Sequence, residues 1–286
     1  MIQDIYPSRL DNSFRAVEME ENDLLLIFDR DGRLLVKEKD GRMIFASGSD
    51  DMKNGALYLF SIDERRYFLL PEYAMPEDDY QYISIDYRQK GFEYYTIREI
   101  RDKFYGESMT DVFAAFTAYH LWKWYSDNQY CGRCGGLLER GDKERTLICP
   151  ECGNVIYPRI NPAVIVGVTK GDSILLTRYR RGYAHNALVA GFTEIGETLE
   201  ETVAREVMEE TGVKVKNIRY YKSQPWGMAQ DILVGFFCDA DGDGEINMDE
   251  TELKYAEWVK REDIEVQPNN LSLTNEMMKV FRDNKI

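Results

Sequence analysis

The sequence of 286 residues contains only two histidines and no long apolar run. Because no stretch of 18 consecutive apolar residues is present, we expect no transmembrane helix and no membrane partner. The first residues carry no signal-peptide pattern, so the expected location is the cytoplasm. His120 and His185 stand alone in the sequence, and no role is assigned to either of them.

Basic residues are also fewer than acidic residues. The chain has 36 Lys and Arg against 51 Asp and Glu, a net charge of −15. This balance argues against broad binding to nucleic acid backbones, although it leaves room for a local basic patch. The length predicts two domains, or one large domain with an insert, and the 44% of hydrophobic residues is enough to form real cores.

Cysteine is scarce too, but four of the five cysteines form two close pairs. Cys131 and Cys134 are separated by two residues, as are Cys149 and Cys152. Two such pairs can close a tetrahedral Zn²⁺ site with no open position, so the zinc would be structural. Two disulfides or free thiols are the alternatives, and a cytoplasmic setting disfavours disulfides. Cys238 stands apart in an apolar run and is predicted to be a buried thiol.

Residues 191–213 contain the most informative pattern of the chain. Glu206, Glu209 and Glu210 are spaced three and four residues apart, which places them on one face of a helix. Like charges at this spacing destabilise a helix, so a cation between the carboxylates is expected, and hard divalent ions prefer oxygen ligands. A solvated acidic face is the simpler alternative for a glutamate-rich run.

The boundaries of this helix can be read from the same segment. Thr198 and Glu201 have the spacing of a capping box, and Gly212 is a natural stop. An apolar stripe at helical spacing would anchor the helix to a core, and it comprises Leu199, Val203 and Val207. Gly191 lies in the preceding loop, where the backbone must turn and approach a ligand.

The whole segment resembles the Nudix box, Gly-x5-Glu-x7-Arg-Glu-U-x-Glu-Glu-x-Gly-U, in which U is a bulky aliphatic residue. Every fixed position is filled, by Gly191, Glu197, Arg205, Glu206, Val207, Glu209, Glu210, Gly212 and Val213. The resemblance implies an enzyme that uses Mg²⁺ or Mn²⁺ to hydrolyse a nucleoside diphosphate linked to another moiety. It also implies catalytic roles for Arg205 and the three glutamates, with Glu252 as a further metal ligand or base.

The order of segments resembles the NADH pyrophosphatase branch of this family. That branch combines an N-terminal domain, a four-cysteine ribbon, a Nudix box and the tetrapeptide at residues 223–226. We therefore expect an N-terminal structural or dimerisation domain (residues 1–128), a zinc ribbon (129–156) and a catalytic domain (157–286). The expected fold class is α+β, a Nudix α/β/α sandwich preceded by the ribbon and a mostly β, degenerate Nudix-like domain.

The resemblance further implies a reaction and a set of substrate contacts. The expected reaction converts NADH or NAD⁺ to nicotinamide mononucleotide and AMP, and extends to NAD-capped RNA. In that branch an aromatic ring at the Phe192 position stacks on adenine, and the Tyr157 ring arrives from the second subunit of a homodimer. Core packing is the alternative for both rings. The remaining expected substrate contacts are Ala190, Gly191, Gln224 and Trp226.

One loop departs from the family pattern. The branch continues after Trp226 with two prolines and a serine, whereas this chain has glycine at 227 and Asp231. We expect a less rigid loop and a carboxylate that would repel a phosphate. Another substrate, such as ADP-ribose, a dinucleoside polyphosphate or a nucleotide sugar, therefore stays open. A non-enzymatic, ligand-sensing regulator is the third alternative, against which the intact glutamates count.

A second acidic motif lies outside the family pattern. Residues 239–250 match the calcium-binding loop of an EF-hand, with Asp239, Asp241, Asp243 and Glu250 as candidate Ca²⁺ ligands. The motif needs a helix on both sides, whereas residues 232–238 are typical of a strand. A plain acidic turn is therefore favoured over a calcium site.

Overall fold

The computed structural model describes residues 1–48, 55–71, 83, 85–180 and 185–286. The chain divides into two compact units. The C-terminal unit comprises Met1–Gln3, Ile160–Trp226 and Asp231–Ile286, and the N-terminal unit comprises Asp4–Arg159 and Gly227–Gln230. The three-domain division at residues 128 and 156 stays a prediction.

The N-terminal unit contains a mixed sheet built from short apolar runs. Within the described residues its strands are β1 (Leu10–Asp11), β2 (Leu24–Ile27), β3 (Leu34–Lys39), β4 (Arg42–Ser47), β5 (Leu57–Ile62), β6 (Arg65–Leu70) and β7 (Glu93–Tyr95). Their order is β1-β5-β6-β2-β4-β3-β7, and β2 pairs with β6 in parallel while the other pairs are antiparallel.

Two helices follow this sheet, α1 (Ile97–Phe104) and α2 (Met109–Asp127). The buried face of α2 is broad and includes Leu121, Trp124 and Tyr125. Tyr119 and Trp122 are only partly buried, because they pack on the ring of Phe28 at the edge of the core. In the part of the chain that the structure describes, no helix combines the length and hydropathy needed to cross a membrane.

The paired cysteines lie in a small three-stranded sheet of the N-terminal unit. Its strands are β8 (Glu139–Arg140), β9 (Leu147–Ile148) and β10 (Val155–Ile156), in the order β10-β9-β8. Each strand has two residues, which is too short to bury a hydrophobic core. A sheet of this size needs another source of folding energy, such as a metal ion.

The C-terminal unit is built on a twisted sheet of longer strands. They are β11 (Asn161–Lys170), β12 (Ser173–Tyr179), β13 (Val189–Phe192), β14 (Val215–Trp226), β15 (Asp231–Ala240) and β16 (Leu253–Lys260). The order is β14-β15-β11-β12-β16, with β13 also paired to β11. β11 and β15 run parallel, whereas the other pairs are antiparallel.

Two helices cover the opposite faces of this sheet, α3 (Leu199–Thr211) and α4 (Leu273–Arg282). Alternation along β11 decides which face each residue joins. Val164 and Val166 pack with Val203 and Val207 of α3, and Ile165 packs in the core formed with α4. The C-terminal unit is therefore the predicted α/β/α sandwich, and the α+β fold class is confirmed.

The ends of α3 follow the local rules that its sequence predicts. Thr198 accepts a hydrogen bond from the Glu201 N–H at 3.2 Å, and the Glu201 carboxylate accepts one from the Thr198 N–H at 2.8 Å. Gly212 ends the helix in the left-handed conformation, with φ of 71°. This reciprocal cap and the glycine stop fix the length of the helix that presents the acidic side chains.

β14 is continuous although its pairing is irregular. It runs without interruption from Val215 to Trp226. Its pairing with β15 shifts register twice, and Asn217 adopts a positive φ of 53° beside the first shift. Such bulges interrupt the alternation that marks a strand in sequence.

The capping box allows a direct test of how α3 begins. Thr198→Ala removes the hydroxyl acceptor, so we expect the C-terminal unit to lose about 1 kcal/mol of unfolding free energy. Thr198→Ser keeps the acceptor and should stay close to the unchanged protein. Urea unfolding followed by circular dichroism would measure both variants. Equal losses for Ala and Ser would show that the hydroxyl does not stabilise the helix.

Candidate active site and metal centre

The guanidinium of Arg205 is bound by three glutamates at once. Arg205 Nε donates to Glu197 Oε1 at 2.6 Å, and Nη1 donates to Glu206 Oε1 at 2.8 Å and to Glu209 Oε2 at 3.0 Å. Nη2 donates to the Phe192 carbonyl oxygen at 2.9 Å. The bond to Arg205 lowers the pKa of Glu197 to about 2. Arg205 thus supplies positive charge within the acidic cluster of α3.

Glu210 occupies a different environment from its neighbours. It is 3% exposed, and burial raises the pKa of its carboxyl to about 8. Tyr179 Oη lies 3.0 Å from Glu210 Oε1 and 3.1 Å from Oε2. Burial raises the pKa of the Tyr179 phenol well above its usual value, so this group keeps its proton and can donate it. Sequence reasoning missed Tyr179, because nothing local marks the end of β12 as a neighbour of α3.

The absence of a side chain at Gly191 leaves the space that the Glu206 carboxylate occupies. A Cβ atom on Gly191 would lie 1.9 Å from Glu206 Cδ, which is closer than any real contact. The carboxylate therefore packs directly against the glycine backbone, and any side chain at position 191 would force the Glu206 carboxylate to move. Burial raises the pKa of Glu206, although the bond from Arg205 opposes the shift. The sequence predicts Gly191 in a loop that approaches a ligand, but Gly191 lies in β13 and the group packed against it is a carboxylate of α3.

Glu252 and Glu209 complete the acidic group. Glu252 is exposed in the turn before β16, and its charge helps to raise the pKa values of Glu206 and Glu210. The side chain of Glu209 is 58% exposed. The structure therefore brings all four predicted glutamates into one electrostatic neighbourhood. Within the described residues, however, only the four cysteines have ligand atoms that all lie within 4.8 Å of one another.

The aromatic residues predicted to contact substrate differ in exposure. Phe192 is 54% exposed at the end of β13, and Tyr157 is 59% exposed in the N-terminal unit, where its hydroxyl donates to Glu144 Oε1 at 3.1 Å. Both values disfavour core packing. Trp226 is partly buried at the end of β14. Adenine stacking by Phe192 and Tyr157 stays a prediction.

Two other residues predicted to contact substrate, Gln224 and Ala190, form hydrogen bonds within the protein. Gln224 is fully buried, its Nε2 donates to the Leu271 carbonyl at 2.7 Å, and its Oε1 accepts from the Leu273 N–H at 2.7 Å. The Ala190 N–H donates to Tyr179 Oη at 3.2 Å. These bonds favour structural roles for Gln224 and Ala190 over the predicted contacts with substrate.

The loop after Trp226 is held in a way that the sequence did not predict. A Cβ atom on Gly227 would lie 2.1 Å from the Phe116 carbonyl oxygen of α2, so only glycine fits against this helix. Gln230 is buried, and its Oε1 accepts from Arg159 Nε at 3.2 Å. Asp231 is also buried, which raises the pKa of its carboxyl to about 6. The predicted repulsion of phosphate loses its basis, since this carboxylate is not displayed on the surface.

The four paired cysteines meet at one point in the N-terminal unit. Cys131 Sγ lies 3.7 Å from Cys152 Sγ, and Cys134 Sγ lies 3.4 Å from Cys149 Sγ. A tetrahedral Zn²⁺ with Zn–S bonds of about 2.3 Å needs sulfur atoms about 3.8 Å apart. The Arg133 N–H points at Cys131 Sγ and lowers the pKa of that thiol. The cluster therefore fits a structural zinc ion.

The acidic loop after β15 does not have the surroundings of an EF-hand. The strands β15 and β16 flank it, and residues 241–252 contain no helix. Asp239 accepts from Arg219 at 3.1 Å, and Asp241 accepts from Lys216 at 2.9 Å. Two of the four candidate ligands are thus already paired with cations, which favours a plain acidic turn. Neither Asp243 nor Glu250 belongs to a metal-ligand cluster of the described residues.

Zinc binding by the cysteine cluster can be tested with a matched control. We expect one Zn²⁺ per chain in purified protein, measured by mass spectrometry of the metal content. Cys149→Ser should lose this zinc and unfold residues 129–156, because the metal supplies the folding energy of such a small sheet. Cys238 is a buried thiol far along the sequence, as predicted, so Cys238→Ser should keep the zinc. Full zinc content in Cys149→Ser would contradict the assignment.

Comparison with known proteins agrees with this architecture. Residues 159–281 match the NUDIX domain, and residues 126–157 match the NADH pyrophosphatase zinc ribbon domain. A relative from Klebsiella pneumoniae, named NAD-capped RNA hydrolase NudC, is 42% identical over 151 residues, and one of the same name from Escherichia coli O1:K1 is 44% identical. Each match covers 52% of this chain and 58% of the relative.

A solved structure is similar as well. The crystal structure of a NUDIX hydrolase from Nitrosomonas europaea has 21% sequence identity and a TM-score of 0.48. The likeness covers 55% of this chain and 92% of that chain. The two matched domains follow one another in the order that the sequence predicts, with the glutamate cluster in the second and the cysteine cluster in the first. Residues 159–281 of this chain therefore form a NUDIX domain, and residues 126–157 before it form an NADH pyrophosphatase zinc ribbon domain.

Proposed function

We propose that this chain hydrolyses the diphosphate bond of NADH and NAD⁺, giving nicotinamide mononucleotide and AMP, and cleaves the same bond in NAD-capped RNA. The arrangement of Arg205 with Glu206, Glu209 and Glu210 on α3 carries the proposal. The zinc ribbon match and the similarity to proteins named NAD-capped RNA hydrolase support it. The match covers 58% of the length of those relatives, so we state their activity for this chain as a proposal.

The proposed cofactor is Mg²⁺ or Mn²⁺, held by Glu206, Glu209, Glu210 and Glu252. The donors fit, because carboxylate oxygens are the ligands that these hard cations prefer. Among the described residues, the buried carboxyl of Glu210 forms no ion pair, so a cation would supply the counter-charge when this group loses its proton. When bound, the metal neutralises phosphate oxygens and lowers the pKa of an attacking water.

The side chains of this site would position the metal ligands and bind the adenine of the substrate. Arg205 holds the Glu206 and Glu209 carboxylates in fixed positions and ties them to the backbone at Phe192. A fixed donor set needs little reorganisation when charge develops on the phosphate. The exposed ring of Phe192 can stack on adenine, since any base has a face that an aromatic ring can cover. In a homodimer, the exposed Tyr157 ring of a second copy would cover the other face.

A substrate panel would test the proposed reaction. With Mn²⁺, we expect AMP to be released from NADH and NAD⁺ faster than from ADP-ribose or diadenosine polyphosphates. Glu209→Gln and Glu210→Gln should each lower this rate by about a hundredfold or more, as expected for losing a charged catalytic group. Glu200→Gln is the control, because Glu200 is exposed on the first turn of the same helix.

Each result of the panel has a clear meaning. Turnover of no substrate would contradict a hydrolase and support the ligand-sensing alternative. Faster release of AMP from ADP-ribose than from NADH would reject NADH as the preferred substrate, while the diphosphatase chemistry would stand. A loss in Glu200→Gln as large as in Glu209→Gln would show that the effect comes from the helix charge in general.

The raised pKa of Glu210 predicts how metal binding depends on pH. Below about 8 this carboxyl is protonated in the metal-free protein, and the proton must leave when a cation binds. The apparent affinity for Mn²⁺ should therefore rise about tenfold per pH unit between pH 6 and 8, and level off above. Calorimetric titration would measure it. Asp231→Asn removes the other buried carboxyl of the C-terminal unit and should leave the profile unchanged, whereas a flat profile in the unchanged protein would refute the assignment.

A further inference from the structure

We propose that Tyr179 is a positioning residue, whose hydroxyl holds the Glu210 carboxylate in the orientation that receives the divalent cation. The inference rests on the proposed metal-dependent function. It concerns a residue outside the Nudix box, which begins twelve residues later at Gly191. Tyr179 lies at the end of β12 and reaches across to the last turn of α3.

The hydrogen bonds of the Tyr179 hydroxyl indicate that it donates its proton to Glu210. Tyr179 Oη accepts a hydrogen bond from the Ala190 N–H at 3.2 Å. Its own proton then points to Glu210, whose two oxygens lie at 3.0 and 3.1 Å. The Ala190 carbonyl lies farther away at 3.4 Å and carries no charge. Once Glu210 has lost its proton, it is the preferred acceptor, because hydrogen bonds to a carboxylate are about twice as strong as neutral ones.

Glu210 depends on this contact because Arg205 does not reach it. The Arg205 guanidinium binds Glu197, Glu206 and Glu209, and in the described part of the chain it makes no hydrogen bond to Glu210. The cluster therefore has two separate supports. Arg205 orients the exposed side of the cluster, and Tyr179 orients its buried member.

The same hydroxyl also influences Glu206 through the backbone. Ala190, which donates to Tyr179, directly precedes Gly191, and the Glu206 carboxylate packs against Gly191. The hydroxyl thus fixes β13 and α3 relative to each other at the point where both contribute to the acidic cluster. Groups that orient metal ligands in this way commonly change the affinity for the metal 10- to 100-fold when they are removed.

Direct metal binding without substrate tests the inference. Mn²⁺ would be titrated into the zinc-loaded full chain, with free Mn²⁺ followed by electron paramagnetic resonance. Tyr179→Phe removes only the hydroxyl, and we expect an affinity about 10- to 100-fold weaker. Tyr255→Phe is the matched control, because its hydroxyl bonds Asn186 in the segment before β13 and makes no hydrogen bond to a glutamate of α3. Its affinity should stay within about twofold.

The outcomes separate the inference from the function on which it rests. Absence of Mn²⁺ binding in the unchanged protein would refute the proposed metal site itself. Unaltered Mn²⁺ affinity in Tyr179→Phe, with or without a lower midpoint of thermal unfolding, would overturn only the positioning role. In a Glu210→Gln background, Tyr179→Phe should change the affinity by less than about twofold, because its partner is gone. An equal loss in both backgrounds would mean that the hydroxyl acts only through Ala190, and would also overturn the inference.

Discussion

The network around the Arg205 guanidinium is the interaction on which the active-site architecture depends. Three carboxylates and one carbonyl oxygen surround a single side chain, and they come from α3, the preceding loop and the end of β13. Without this cation, Glu206 and Glu209 would repel each other across one turn of the helix. With it, the acidic face is compatible with a stable helix even before a metal ion binds.

Two further constraints act on the same cluster from other directions. Gly191 provides the space into which the Glu206 carboxylate fits, and Tyr179 provides a donor to the buried Glu210. Each constraint combines an element of the sheet with α3. The geometry of the cluster is therefore set by how α3 packs on β11, through Val203 and Val207, as much as by the sequence of the helix itself.

Much of the geometry of α3 could be predicted from local sequence. The cap at Thr198, the stop at Gly212 and the glutamate spacing are local, and each is present as predicted. The EF-hand match was local as well, yet strands flank it, since a twelve-residue pattern cannot specify its neighbours. Tyr179 and Gln224 show the limit most clearly. Their partners lie 31 and 47 residues away, so their roles depend on a tertiary packing that one sequence does not display.

The parallel pairing of β11 with β15 has a consequence for the order in which the chain folds. β11 finds this partner about seventy residues later, and α3 lies between the two strands in the sequence. Pairing of distant strands is slow, because the intervening loop must close first. During synthesis, α3 can form early as a capped helix, but the sheet beneath it stays incomplete until residue 260, the end of β16, has left the ribosome. The glutamates therefore become an ordered cluster only late in the assembly of the C-terminal unit.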